Sequence, residues 1–280
     1  MAAPPPLAYG EPFYAYQKQG SIASANAVVP FVVDLVKPTS IVDVGCGVGS
    51  WLAAAARAGI TEVLGIDGDH VPRAELMIPT TRFRAMDISQ PFTCPERFDL
   101  AMSLEVAEHL PTDSAALFVQ SLTTLAPVVL FSAAIPHQGG WNHVNEQWPE
   151  YWAELFEASK FLAVDCLRER FWNEPDVRWW YAQNMMLYVA ADHPLWRTLR
   201  RTARPLRALV HPQNYLIHIG ELREAAKRRT AKEIFMRLAA ATARRSRRLI
   251  ERAVPTRFQH PTRRLRTKDT PVPRPTIPAK

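Results

Sequence analysis

Two groups of residues in this 280-residue chain have the types and spacing to do chemistry. One is a set of acids behind glycines and short apolar runs. The other is a loop dense in histidine and carboxylate. The stretch Asp43-Val-Gly-Cys-Gly-Val-Gly49 puts Gly45, Gly47 and Gly49 between an apolar run and a second apolar stretch that begins at Ser50. Glycine allows a tight turn and brings a ligand against bare backbone, while the amides of a following helix face the same ligand. The third glycine follows after one residue, not two as in G-x-G-x-x-G, so a pyrophosphate fits less well than a ligand whose carboxylate and amine meet backbone and a nearby acid. By itself such a turn also suits a purely structural bend. Asp67 closes VLGID, 18 residues beyond Gly49, where a carboxylate can accept both ribose hydroxyls of an adenosine. Asp87 closes FRAMD, where it can accept from an adenine amino group. Singly, each acid is equally a strand-end residue or a helix cap. In register at the ends of successive strands, the three describe an adenosine-shaped site, because open α/β sheets bind ligands at that edge.

To place those acids on one edge, the chain needs strands alternating with helices. Short apolar runs at 40–44, 62–67, 82–86, 98–103 and 128–133 read as strands, and 50–58, 112–125 and 149–158 as helices. This spacing predicts βαβ units and an α/β, Rossmann-like, mostly parallel sheet. Residues 161–167 and 185–191 read as two more strands, antiparallel to each other, with only a Trp/Tyr-rich loop between them. The section 67–82 is too short and too broken by proline for a long helix. Beyond Asp192, 195–204 has an apolar arc opposite arginines, 221–254 reads as a longer basic helix, and the tail from Pro255 carries six prolines.

Composition sets outer limits. An apolar fraction of 48% with 10% aromatics fits a folded core and excludes disorder throughout. Cys46, Cys94 and Cys166 show no metal or disulfide spacing, which predicts free thiols and a cytoplasmic setting. The first residues lack a basic start and an apolar segment, and no run of about 18 apolar residues occurs. The net charge of +7 is unevenly spread: residues 193–280 hold 23 of the 34 Lys+Arg but only 5 of the 27 Asp+Glu. The expected division is an N-terminal segment and helix at 1–39, a ligand-binding domain at 40–192, a basic helical C-terminal extension at 193–254 and a disordered tail at 255–280.

Through VDVGCGVGSWL, VLGID, FRAMDI and FDLAMSLEVAEHL, residues 40–191 resemble the class I S-adenosylmethionine-dependent methyltransferases. Within them the chain looks similar to a bacterial group with a GGxxHVNEQWPxYW segment, here Gly139 to Trp152. The resemblance implies S-adenosyl-L-methionine as cofactor. Gly45, Gly47 and Gly49 would then contact its methionine part, and Asp43 would anchor its amino group indirectly or through water. Asp67 would hold the ribose, Asp87 with Ile88 the adenine, and Leu104 and Glu105 the pocket floor. It also implies that the last segment is the fourth strand plus a loop carrying Glu105, Glu108 and His109. Ser21 and Ser24 either close over the cofactor or are plain helix residues. Bacterial relatives often accompany glycoconjugate synthesis, which makes a small-molecule or saccharide acceptor the expected partner.

Methyl transfer is an in-line displacement at an already activated carbon, so the protein must position an acceptor and, for a hydroxyl, remove its proton. The segment after the fifth strand, Ile135 to Trp148, supplies His137, His143 and Glu146, and His109 lies after the fourth. His143 is the favoured base, with Glu146 and His109 beside it. Capping a helix or holding the loop is the competing reading for His143. The spacing matches no recognised zinc or iron pattern, so the reaction is expected to be metal-independent. Trp172, Trp179, Trp180 and Tyr181 with Gln183 and Asn184 either stack on an acceptor ring or cover the sheet end. The basic C-terminal region allows anionic membrane contact, nucleic acid binding, or no partner beyond solvent or another subunit. Three functions remain open: O-methylation of a small or carbohydrate acceptor, an RNA methyltransferase that uses the basic region, and a non-catalytic binding module.

Overall fold

Short apolar runs, buried on both faces in the inner strands, build a seven-stranded sheet in the computed structural model, which describes residues 11–200 and 206–253. The strands are β1 (Ser40–Val44), β2 (Glu62–Asp67), β3 (Phe83–Ala85), β4 (Leu100–Leu104), β5 (Val128–Ser132), β6 (Phe161–Val164) and β7 (Met186–Ala190). Their order is β3-β2-β1-β4-β5-β7-β6. The first five in that order are parallel. Strand β7 runs antiparallel to both β5 and β6, as the sequence leads one to expect for the last pair. From β1 the chain steps outward to β2 and β3, then returns to the other side of β1 as β4. The reversal opens a crevice at the carboxyl ends of β1 and β4.

Helices cover both faces, as parallel strands require. Helices α1 (Glu11–Val36) and α2 (Ser50–Arg57) send Val28, Val32 and Leu52 against Ile41, Leu100 and Met102. On the other face α3 (Ala115–Leu125) and α4 (Pro149–Ala158) send Phe118, Leu122 and Phe156 against Val42, Ala101 and Phe131. Neighbouring residues such as Ile41 and Val42 serve opposite layers because strand side chains alternate. Each such apolar side chain contributes about 1.5–3 kcal/mol on burial. Phe156 also stacks on Tyr188 at 3.8 Å, fixing α4 over β7.

Some expectations change in detail. Between β6 and β7 the structure has two short helices, α5 (Arg168–Phe171) and α6 (Trp179–Asn184), where the sequence reads as loop alone. Four and six residues are too few to show a 3.6-residue repeat. Section 67–82 holds only two single 3₁₀ turns, Arg73–Glu75 and Thr80–Arg82, each preceded by a proline. After β7 come α7 (Pro194–Leu199) and α8 (Pro212–Ala253). Helix α8 starts at Pro212 rather than at 221, since proline fits the first helical position and His211 Nδ1 accepts from the Gln213 amide at 3.2 Å. The end of the 195–204 helix and the tail 255–280 lie outside the described residues.

The chain divides into two compact units, Met1–Ile219 and Gly220–Lys280. In the first, His211 and Asn214 are buried. In the second, the described residues 220–247 are all exposed. Among the described residues no helix is long and apolar enough to cross a membrane, and Cys46, Cys94 and Cys166 are free.

Candidate active site

The turn from β1 into α2 is shaped by backbone that only glycine adopts easily. Gly45, Gly47 and Gly49 have φ of 79°, 52° and 83°. At Gly45 a Cβ would also lie 2.4 Å from Val106 Cγ2, so the loop after β4 closes directly on this turn. Asp67, at the end of β2, ties the turn down: Gly47 N donates to its Oδ2 at 2.7 Å and Gly68 N to its Oδ1 at 2.6 Å. An ionised carboxylate has about four acceptor sites, so two amides leave it able to accept further hydroxyls. Burial raises the Asp67 carboxyl above the ordinary range, against the two amides, His70 and Arg73.

Asp43 lies in β1 with no exposed path to share its charge. It is 2% exposed and its Oδ2 has no hydrogen-bond partner. Burial first, and the neighbouring Asp67 charge second, push its carboxyl up to about 8. A buried, orphaned carboxylate oxygen of this kind suits a cationic ligand.

A cavity of about 550 Å³ opens at the strand ends. It is bordered by Gly45, Gly47, Asp67, Asp87, Ile88 and Glu105 from the expected set. Asp43, Gly49 and Leu104 are buried without forming its wall. Asp87 is exposed and folds one oxygen onto Ser89, accepting from its N at 3.0 Å and its hydroxyl at 2.6 Å; these bonds lower its pKa. Its other oxygen remains available to the cavity. The wall also includes His70, in the loop after β2 outside any quoted motif, and Met86 and Leu110, which lie within FRAMDI and FDLAMSLEVAEHL at positions to which the resemblance assigns no role. Ser21 and Ser24 do not border it. Ser21 meets Tyr181 Oη at 3.2 Å, and Ser24 accepts from Arg178 N at 3.0 Å, so both pin α1 to α6.

Glu105 begins the loop after β4 in a left-handed conformation, φ 56°. Its carboxylate accepts from Gln138 Nε2 at 2.9 Å and from Asn184 Nδ2 at 3.0 Å. Burial raises its pKa, opposed first by Asn184, then by Ser132, Gln138 and His143. Gln183 Nε2 donates to Gln138 and Asn184, while its Oε1 accepts from His211 N at 2.8 Å. Gln183 and Asn184 are thus buried in an amide network under the site, a tertiary use that no local sequence signal reveals.

The loop from Ile135 to Trp148 folds back on the loop after β4. Val144 N and Asn145 N both donate to the Glu108 carbonyl, at 2.8 and 3.0 Å. Glu146 accepts from His137 N at 2.7 Å, Gly139 N at 3.0 Å and His143 Nδ1 at 2.9 Å. The His143 and His109 rings meet edge to face at 4.8 Å. His109 borders the cavity, and burial followed by His143 lowers its pKa to about 4, so it is neutral near pH 7. Thus the structure brings His109, His143 and Glu146 together, with His109 at the cavity wall. His137, left-handed at φ 65°, contributes its backbone amide to the loop. Of the aromatics, Tyr181 is buried and packs on Trp51 at 5.1 Å, covering the sheet end.

Known proteins resemble this chain in sequence and in fold. A family model described as a methyltransferase domain matches residues 16–180. Methyltransferase str2 of Strobilurus tenacellus is 30% identical over 134 residues, 47% of this chain and 42% of that protein. The chain therefore spans less than half the length of that relative. Among solved structures, the sugar N-methyltransferase KedS8 from a Streptoalloteichus species superposes with a TM-score of 0.51 at 16% identity, covering 69% of this chain and 99% of that one. An O-methyltransferase family protein from Burkholderia thailandensis gives a TM-score of 0.46 at 12% identity, covering 60% of this chain and 56% of that one. At such identities the structural likeness concerns the fold. The residues present fit S-adenosylmethionine, which carries an ammonium and a sulfonium for the orphaned Asp43 oxygen and ribose hydroxyls for Asp67. The chain belongs to the methyltransferase domain family, with S-adenosylmethionine as its cofactor.

Proposed function

We propose that the chain transfers a methyl group from S-adenosylmethionine to a hydroxyl of a small-molecule or carbohydrate-type acceptor, as a member of the group with the GGxxHVNEQWPxYW segment. The observation that carries this reading is His109, in ring contact with His143, at the wall of the cavity that Gly47 and Asp67 also border. In this reading Gly45, Gly47 and Gly49 cradle the methionine part and Asp43 faces its ammonium. Asp67 takes the ribose hydroxyls, Asp87 and Ile88 border the adenine, and Leu104 and Glu105 support the floor. The acceptor reaches the donor methyl past His109 and His143, whose ring nitrogens can take up its hydroxyl proton. Glu146, already accepting three hydrogen bonds, positions His143 rather than taking the proton itself.

The basic composition of residues 193–254 supports a second reading, in which an RNA acceptor or an anionic surface is held electrostatically by a cytoplasmic protein. One assay separates the two. The full chain is incubated with methyl-labelled donor and fractionated lysate, at low and high salt. Label in the small-molecule or glycan fraction, insensitive to salt, is the expected outcome. Label in RNA that fades steeply with salt would establish the second reading instead. Label nowhere, with the donor bound, would leave a non-catalytic binding module.

A further inference from the structure

The loops after β4 and β5 bring together three side chains whose arrangement the donor pocket does not require. One ligand atom each from Glu108, His109 and His143 lies within 4.8 Å of the others. Glu108 is fully buried, at 0% exposure, and neither carboxylate oxygen has a hydrogen-bond partner. A buried carboxylate left in that state is costly unless a cation meets it. Its side chain is not needed to dock the 135–148 loop, because the Glu108 carbonyl already does so through Val144 N and Asn145 N. His109 Nδ1 is likewise buried without a partner. His143 Nδ1 faces Glu146 Oε1 at 2.9 Å. With its proton on Nδ1 toward Glu146, the ring's other nitrogen would be the metal ligand, the carboxylate–histidine arrangement that orients metal ligands.

We propose that Glu108, His109 and His143 bind a divalent first-row transition cation beside the methyl-donor cavity, with its remaining positions open to the acceptor. Two imidazole nitrogens and one carboxylate suit Zn²⁺, Co²⁺ or Mn²⁺ rather than Ca²⁺, which seeks oxygen alone. Such a site departs from the metal-independence expected from the sequence. It escapes that reading because His143 joins Glu108 and His109 from a different loop, through tertiary folding. The use made of the ion rests on the proposed methyl transfer. With the cation held, His109 and His143 act as its ligands and not as proton acceptors, and the cation polarises an acceptor hydroxyl whose proton passes to water. The oxygen then forms a bond to the donor methyl carbon, and the C–S bond breaks with its electron pair passing to sulfur.

Chelator-stripped full-length protein titrated with Co²⁺, followed by visible absorption and calorimetry, tests the site without recourse to activity. Wild type, Glu108→Gln, His143→Ala and Glu146→Gln are compared, and S-adenosylmethionine is titrated into each. The expected result is one Co²⁺ per chain with a ligand-field band. Affinity should fall at least about 100-fold in Glu108→Gln and His143→Ala, and about 10–100-fold in Glu146→Gln, where an outer partner of the ligand is lost. Retained donor binding shows that the variants are folded, since neither Glu108 nor His143 borders the donor cavity. Absence of stoichiometric Co²⁺ binding to the wild type, or binding that survives both ligand substitutions, overturns the proposal. Tight Co²⁺ binding without donor binding supports the cation site and overturns the methyl-transfer reading.

Discussion

Asp43 and Asp67 show how two acids at strand ends become a site through their surroundings. The residue types and their spacing already suggest an adenosine-shaped pocket in the sequence. The sequence does not reveal that Asp67 is tethered by Gly47 and Gly68, or that an Asp43 oxygen lacks any partner. Those facts depend on which amides folding brings near, and they set the electrostatics. Burial raises Asp43 from 3.8 to about 8, so the folded state holds a proton that the unfolded chain releases. Its contribution to stability is therefore fully present below the unfolded value and is lost as pH rises toward 8. Thermal midpoints of the donor-free protein from pH 5 to 9 should show the wild type falling relative to Asp43→Asn, with the gap levelling above about pH 8. Parallel curves would mean that Asp43 does not carry an uncompensated charge.

At the scale of elements, the long βα alternation is legible because β-branched runs and helical stretches differ in period. The core strands stand close to where composition puts them, and the antiparallel last pair follows from the lack of a long crossover between β6 and β7. The short helices α5 and α6 are not legible, although α6 delivers Asn184 to Glu105. Helix α5 is anchored instead by a buried ion pair. Arg168 is 1% exposed, and its Nε and Nη2 donate to Asp165 at 3.0 and 2.6 Å. Removing the carboxylate leaves a guanidinium buried without its counter-charge, which costs about 3–5 kcal/mol. Urea unfolding of Asp165→Ala should therefore show a loss of that order. A loss below about 1 kcal/mol would place the pair in the weak class of surface salt bridges.

For the whole molecule, the sequence separates an acidic part from a basic one at about residue 192, whereas the compact units meet at Ile219 and Gly220. Charge composition does not register that His211 and Asn214, beyond that point, hydrogen-bond to Gln183 beneath the site. The catalytic reading concerns the first unit, and its central claim is that the turn from Asp43 to Gly49 and its tether to Asp67 receive S-adenosylmethionine. Calorimetric titration of the full chain with the donor, in wild type and in Asp67→Ala checked for an unchanged fold by circular dichroism, tests that claim most directly. One donor per wild-type chain, bound at least about tenfold more weakly by the variant, is the predicted result, in line with the loss of charge-assisted hydrogen bonds to two hydroxyls. No binding to the wild type, or undiminished affinity in Asp67→Ala, would contradict it.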